Sequence, residues 1–441
     1  STLPPPRYPL HATALSTLFD RGRLNRDVLD IILQNVRVSR ERQGDIIAHV
    51  TALKVGHDRL TALLDRYGCD TVFRAVDELN DRSEEMMRGH IASIPDGLYR
   101  FQEHLDSDGV VNEPLLLDLA LTVEGDGVHV DFSQSSAPCR GPLNSVLSTT
   151  MAGVFIAFKH TFPEVPINEG CFRPFAFDLP ETVFLNAQHP RPVAGCAAEV
   201  CQRVIDTVLG ALGQALPERS YAGPMGTVTN LSIGGDDPER GLYVLYSFVG
   251  GGYGGNWESD GLINGNPTLA LARTQALEIF EARYPVRFLQ YAIRDGSGGA
   301  GRRRGGLGVV FEFQIVRGTA SASLLGERGK FGPFGYGGGT PAQTSSHLFN
   351  LGGKAYVPEH ISKDEGVHMD TGDVLRLQTP GGGGWGSPLE RPPEQVAEDV
   401  RRGYYGRAAA SEQYGVVLAD DSFAVDAVQT AALRFELGGK A

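Results

Sequence analysis

Glycine constrains this chain more than any other residue. Of 441 residues 56 are glycine, and they gather in runs: VGGGYGGN at 249–256, GSGGAGRRRGGLG at 296–308, GERGKFGPFGYGGG at 326–339 and PGGGGWG at 380–386. A residue without Cβ reaches backbone conformations closed to the others, so this density predicts many positions with positive φ, in tight turns and bulges between strands.

Two of the runs also spell G-x-G-x-x-G, at Gly381–Gly386 and at Gly250–Gly255. A nucleotide cradle needs more than the glycines: a helix must follow at once, with its first N–H groups aimed at the pyrophosphate. After Gly386 the chain reads SPLERPP, so the helix in PPEQVAEDVRRG cannot begin before Pro392 and Pro393. After Gly255 comes NWESDG, which is not helical. Lys330 and Lys354 each follow glycine but precede Phe and Ala, as Lys440 precedes Ala, whereas a phosphate loop requires Ser or Thr there. Both fingerprints read as turns.

With 41% apolar and 21% charged residues the composition is that of a globular protein, and no apolar run is long enough for a membrane span. The start, STLPPPRYPLHATAL, has no basic segment before an apolar one, so no secretory signal is expected and the cytoplasm is assigned. A net charge of −13 disfavours nucleic acid as a partner. The five cysteines include no C-x-x-C pair, which argues for reduced thiols and against a structural zinc site. The eleven histidines form neither H-x-H nor H-E-x-x-H, and G-x-S-x-G is absent.

Along the chain four stretches are expected: a helical segment over 1–96, an α+β region over 97–220, a glycine-rich β region over 221–390 and a helical tail over 391–441. In the first, Ile46, Val50, Leu53, Leu60, Leu63, Leu64 and Tyr67 fall on one helical stripe that Gly68 ends, and His57 in the same register reads as a packed histidine. A second helix follows over about 70–94. LLLDLALTVEGDGVHVDF alternates on both sides of Glu124-Gly125-Asp126-Gly127, a β-hairpin pattern. Helices are expected over 145–159 and 199–216, and YYGRAAASEQYGVVL resembles a helix capped by Gly415 and then a short strand. The fold class is α+β.

Candidate chemistry is confined to polar side chains in apolar, turn-rich settings: Arg140 and Asn144 in CRGPLNS, Asn168 and Arg173 in INEGCFRPF, Glu199 and Gln202 in AAEVCQR, and Asn230 in GTVTNLSIGG. Such groups can orient an amide or a carboxylate. By residue chemistry alone, satisfying buried loop carbonyls is the readier role for them.

RGPLNSVLSTT, PINEGCFRP, EVCQRVIDTVLGALGQALPE, GTVTNLSIGG, LEIFEARYPV, SGGAGRRRGGLGVV and TPGGGGWGSPLERPPEQVAEDVRRG occur in this order. In that order they resemble the hydantoinase B/oxoprolinase family. The resemblance implies one component of a hetero-oligomer in which a hydantoinase A-type ATPase subunit holds ATP and Mg and activates a cyclic amide by phosphorylation, and the B component completes ring opening. It leaves two alternatives, a subunit of an acetone/acetophenone-type carboxylase acting on a ketone, or a non-catalytic scaffold. It implies Glu199 and Arg173 as catalytic residues and Arg140, Asn144, Asn168 and Asn230 as substrate-binding ones. It further implies that Zn or Mn is held by an N-terminal portion preceding LFDRGRLNRDVL, which this chain lacks. The segment NPTLALART replaces a histidine- and threonine-rich family motif, and Ala197 stands where many relatives have asparagine.

Overall fold

The computed structural model describes residues 18–439 except 21, 37, 267, 270–273 and 421. The chain divides into two compact units, Ser1–Glu78 and Leu79–Ala441.

In the first unit β1 (Phe19–Asp20) and β2 (Arg23–Leu24) form a short antiparallel ladder. Helix α1 (Arg26–Gln34) starts at Asn25, whose Oδ1 accepts from the Val28 N–H at 3.4 Å. Helix α2 (Ser39–Tyr67) stops at Gly68, whose φ of 77° only glycine adopts easily. The stripe expected to be packed is not buried: α2 has no buried residue and Leu53 is 75% exposed. His57 is likewise exposed, 3.3 Å from Asp58, so it is not the packed histidine the register suggests. Spacing sets which residues share a face; burial also requires an opposing surface, and the described residues leave Ile46, Val50 and Leu64 only half-buried. Helix α3 (Cys69–Ile91) follows.

The second unit begins with the sheet β3 (Gly97–Leu105), β4 (Leu115–Glu124), β5 (Gly127–Asp131) and β6 (Phe175–Asp178), in that order, with β6 parallel to β5. The hairpin falls where the alternation places it, with Glu124 opposite Gly127 and Gly125 at φ 60°. Helices α4 (Leu147–Thr161) and α5 (Cys201–Ala215) pack on this sheet through a shared core that includes Leu117, Leu119, Phe158 and Ile205. Every residue of α5 from Cys201 to Gly213 is buried, so even its polar residues face protein.

The remaining strands are β7 (Asn230–Asp237), β8 (Gly241–Phe248), β9 (Val286–Ile293), β10 (Val309–Ile315), β11 (Thr319–Leu325), β12 (Ser346–Leu351), β13 (Lys354–Tyr356), β14 (Lys363–Asp370) and β15 (Val374–Gln378). They form two antiparallel sheets, ordered β14-β11-β7-β8 and β13-β12-β15-β10-β9. Alternate residues of both sheets, among them Leu231, Ile233, Ala322, Phe311, Phe349 and Leu375, share one core. The expected terminal helices are present as Pro393–Arg401 and Arg407–Tyr414, the latter ending at Gly415 with φ 62°, and a further helix covers Ala427–Gly438. The short strand expected after Gly415 is reduced to a single bridge between Leu418 and Val425.

The glycine runs do something other than turn. Of Gly381–Gly386 only Gly386 has a positive φ. The N–H groups of Gly382, Gly383 and Gly384 donate to Gly306 O, Gly223 O and Thr340 O, while their carbonyls accept from Gly299, Gly255 and Tyr336. Successive residues therefore bond to different neighbouring segments, and the glycine runs assemble into a bundle of extended chains. A Cβ on Gly382, Gly383 or Gly384 would collide with Tyr253 O, Phe334 O or Ala300 O. Most of these glycines are required because backbone packs directly on backbone, not because φ is positive.

Candidate functional site

Several loops and strand ends of the second unit meet around a cavity of about 570 Å³. Its wall is mixed: Pro142, Ala194, Ala198, Leu324 and Leu325 give an apolar part, Asn230, Tyr246 and Lys363 bring polar groups to it, and Glu359, His360, Asp364 and Glu365 add titratable ones. This size and this mixture suit a small organic molecule.

Asn230 opens β7, where pairing with Leu325 of β11 and Phe248 of β8 fixes its backbone. Its amide is fully committed. Nδ2 donates to Glu199 Oε1 and to Leu325 O, both at 3.0 Å, and Oδ1 accepts from the Tyr246 hydroxyl at 2.5 Å. Glu199 lies behind it in the wide turn Cys196–Val200 that leads into α5, with no exposed surface. Its Oε1 also accepts from Val228 N–H at 3.3 Å, and Oε2 has no hydrogen-bond partner among the described residues. Burial raises its carboxyl to about 8, and the nearby Glu327 carboxylate adds to the effect.

Lys363 opens β14 and is 3% exposed. Its Nζ lies 2.6 Å from Glu327 Oε1, and Glu327 Oε2 accepts from Asp106 N–H at 2.8 Å. Burial pushes the Glu327 carboxyl up to about 7, against the opposing pull of Lys363. Asp106 in turn accepts from the N–H groups of Gly329 and Lys330 and from Ser362 Oγ. It thus ties the end of β3 to the loop that carries Glu327. Further inside, Arg328 pairs with Asp206 at 2.6 Å and with Glu103 at 3.2 Å, and Arg203 with Asp206 at 3.3 Å. These four charges are almost completely buried. A buried group of this kind holds one arrangement of its loops because breaking any pair strands a charge.

The structure thus brings Glu199 and Asn230 together and leaves the other sequence candidates elsewhere. Asn144 is buried and binds Cys139 N–H, Cys139 O, Gly141 O and Pro192 O, which closes its own loop. Asn168 Nδ2 donates to Leu79 O and Ser83 Oγ. Arg173 pairs with Asp81 at 3.0 Å and Glu84 at 3.2 Å on the surface of α3. The Arg140 N–H donates to Asp108. Gln202 is fully buried, with neither end of its amide bonded among the described residues. Arg273 lies outside the described residues. Sequence reasoning missed Tyr246, Glu327 and Lys363. Glu327 and Lys363 stand among other charges, in GERGK and SKDEG, with nothing local to set them apart, and the pairing of β14 with β11 carries Lys363 to the cavity.

Residues 12–388 match the family described as hydantoinase B/oxoprolinase. The chain belongs to that family. It is 30% identical over 429 residues to the B component of a putative D-/L-hydantoinase of Pseudomonas sp. (strain NS671), covering 95% of this chain and 72% of that one. To the beta chain of the caprolactamase of Pseudomonas jessenii it is 31% identical over 436 residues, covering 95% and 73%. The crystal structure of the ATP-dependent caprolactamase from that organism superposes with a TM-score of 0.84 at 28% identity, over 95% of this chain and 73% of its own. A nucleotide-free acetone carboxylase shares the fold, with a TM-score of 0.80 at 20% identity over 96% and 63%.

Proposed function

We propose that this chain is the B-type component of a hetero-oligomeric amidohydrolase, in which a hydantoinase A-type ATPase subunit activates a cyclic amide or imide by phosphorylation and the B component completes its opening. Two relatives named as components of a hydantoinase and a caprolactamase support the reaction class. The observation that carries the reading is the convergence, in a chain of this family, of a buried ammonium, a committed amide and a phenol hydroxyl on one cavity of mixed apolar and polar wall.

The roles follow from the bonds already made. Lys363 offers N–H donors to a carbonyl oxygen, and Glu327 and Asp106 behind it hold the ammonium in place. Tyr246 spends its proton on Asn230, so its oxygen is left to accept from a ring N–H. Glu199 does not line the cavity. It is a positioning residue that fixes the Asn230 amide, and hence the direction of the Tyr246 hydroxyl.

The glycine runs do not fit a nucleotide phosphate, because the N–H groups of Gly382–Gly384 already donate to carbonyls of neighbouring segments. Among the described residues no group of three or more His, Cys, Asp or Glu side chains is placed to hold a metal ion. On the family resemblance ATP and Mg belong to the partner subunit, and the residues described here supply the steps given above.

The test is the complex that copurifies with the full chain, assayed with ATP and hydantoin, a lactam or 5-oxoproline. Ring-opened product formed in step with ADP, and lost in a complex carrying Lys363→Met, is the expected result. Turnover only with a ketone and bicarbonate overturns the reading in favour of a carboxylase. Ring opening that is unchanged by Lys363→Met and by Tyr246→Phe leaves the chain a scaffold.

A further inference from the structure

His360 lines the candidate cavity from the loop between β13 and β14, three residues before Lys363. It is half-buried, and its two ring nitrogens meet different surroundings. Nδ1 lies 2.9 Å from Ser107 Oγ, in a serine that is fully buried and outside the lining. Nε2 has no hydrogen-bond partner among the described residues and is the nitrogen left to the cavity. The other titratable groups of the lining are engaged or turned to water: Lys363 is paired with Glu327, the Tyr246 and Tyr356 hydroxyls donate to Asn230 and Asp364, and Glu359 and Glu365 are exposed. The loop that carries the ring is held in a costly conformation. Ile361, next to it, is a β-branched residue at φ 61°, and it is admitted because position 329 is glycine, where a Cβ would lie 2.5 Å from Ile361 Cγ2. Of the five non-glycine residues with positive φ among the described residues, Thr229, Arg328 and Ile361 adjoin Asn230, Glu327 and His360 in sequence, so strain gathers at this cavity and at the groups behind it. Asn112 Nδ2 donates to Glu359 O at 3.2 Å and Ser362 Oγ to Asp106 at 3.1 Å, one on each side of His360 in sequence. Asp106 and Ser107 thus hold Lys363 through Glu327 and His360 directly.

We propose that His360 is the proton carrier of this cavity, a catalytic base at Nε2 that Ser107 positions. The role rests on the functional reading above, with the ring amide arriving as an O-phosphorylated imidate. An imidazole that accepts a proton at Nε2 carries its own hydrogen on Nδ1, and Ser107 Oγ can accept from that N–H both in the neutral ring and in the imidazolium. Opening the ring moves both protons of one water from oxygen to nitrogen. The first leaves as the water oxygen bonds to the activated carbon and the C=N electron pair passes to the ring nitrogen. The second leaves as the C–N bond breaks with its pair on nitrogen and the remaining O–H becomes the carbonyl of an acyl phosphate. Nε2 takes each proton from oxygen and returns it to nitrogen, so the imidazole ends neutral. A second water then releases phosphate from the acyl phosphate and leaves the carboxylate.

The experiment has two arms. In NMR spectra of the full chain labelled with nitrogen-15 histidine, assigned with His360→Gln, the neutral His360 ring should carry its proton on Nδ1, and Ser107→Ala should shift it toward the Nε2 tautomer. A neutral ring protonated at Nε2 in the parent overturns the proposal without any assay of turnover. In the copurified complex, assayed with ATP and hydantoin, a lactam or 5-oxoproline, His360→Gln should lower kcat at least about a hundredfold and Ser107→Ala about tenfold, with KM within about twofold and the melting temperature kept. Added imidazole should restore part of the loss in His360→Gly, which a histidine needed only for folding would not permit. Ring opening by His360→Gln within about threefold of the parent overturns this role alone, whereas a parent complex that opens no ring overturns the functional reading and this role with it.

Discussion

Lys363 Nζ and Glu327 Oε1 stand 2.6 Å apart, with 3% and 0% of their side chains exposed. The cation that reaches the candidate cavity is thus held from behind by a carboxyl that burial has already raised to about 7.

Lys363→Met should destabilise the chain in a pH-dependent way. Below pH 7 Glu327 is protonated in the folded state with or without its partner, so the penalty is constant. Above pH 7 the variant must either bury an unpaired carboxylate or keep a proton that the unfolded chain has lost, and the penalty grows by up to about 1.4 kcal/mol per pH unit. Urea titrations of parent and variant at pH 6 and pH 8.5 check this; an identical difference at both values would mean that the pair is not coupled to folding.

Glu199→Gln should gain stability relative to the parent as pH rises. A carboxyl whose folded value is raised to about 8 contributes fully below its unfolded value near 4.5, and that contribution is lost between about pH 5 and pH 8. Glutamine keeps an acceptor for Asn230 and has no proton to lose. The difference in unfolding free energy between the two proteins should therefore shift toward the variant across this window, and a flat difference would show that Glu199 titrates normally.

Two glycine-to-alanine changes should separate close approach from backbone sign. Gly403 has φ 74° and open space where a Cβ would lie, so Gly403→Ala should cost about 1 kcal/mol. Gly383 has no positive φ, but its Cβ would fall on the Phe334 carbonyl, so Gly383→Ala should cost more than about 3 kcal/mol or abolish soluble expression. Melting temperatures of the two variants decide, and equal losses would contradict the packed bundle.

Asn144→Ala should cost about 2–3 kcal/mol, since it strips partners from the buried Cys139, Gly141 and Pro192 backbone groups. Arg173→Ala, which breaks a solvent-screened pair with Asp81 and Glu84, should cost much less. Denaturant midpoints measured side by side test the contrast.

The local elements of the fold were legible in the sequence because their causes are local. Alternation about Glu124–Gly127 specifies a hairpin, Gly68 and Gly415 end helices, and the Pro392–Pro393 pair starts one, whatever the rest of the chain does. The ordered family motifs are legible too, and two of them carry Glu199 and Asn230, which a hydrogen bond at 3.0 Å joins in the fold. What the glycines are for was not legible. Positive φ and tight packing demand the same residue, and only the neighbouring carbonyls tell them apart. Nor was the cavity: Glu327 and Lys363 are distant in sequence from Glu199, and strand register, not spacing, brings them together. The stripe on α2 shows the same division from the other side. Its periodicity determined a face, but whether a face is buried depends on what stands opposite, and that is a property of the tertiary structure alone.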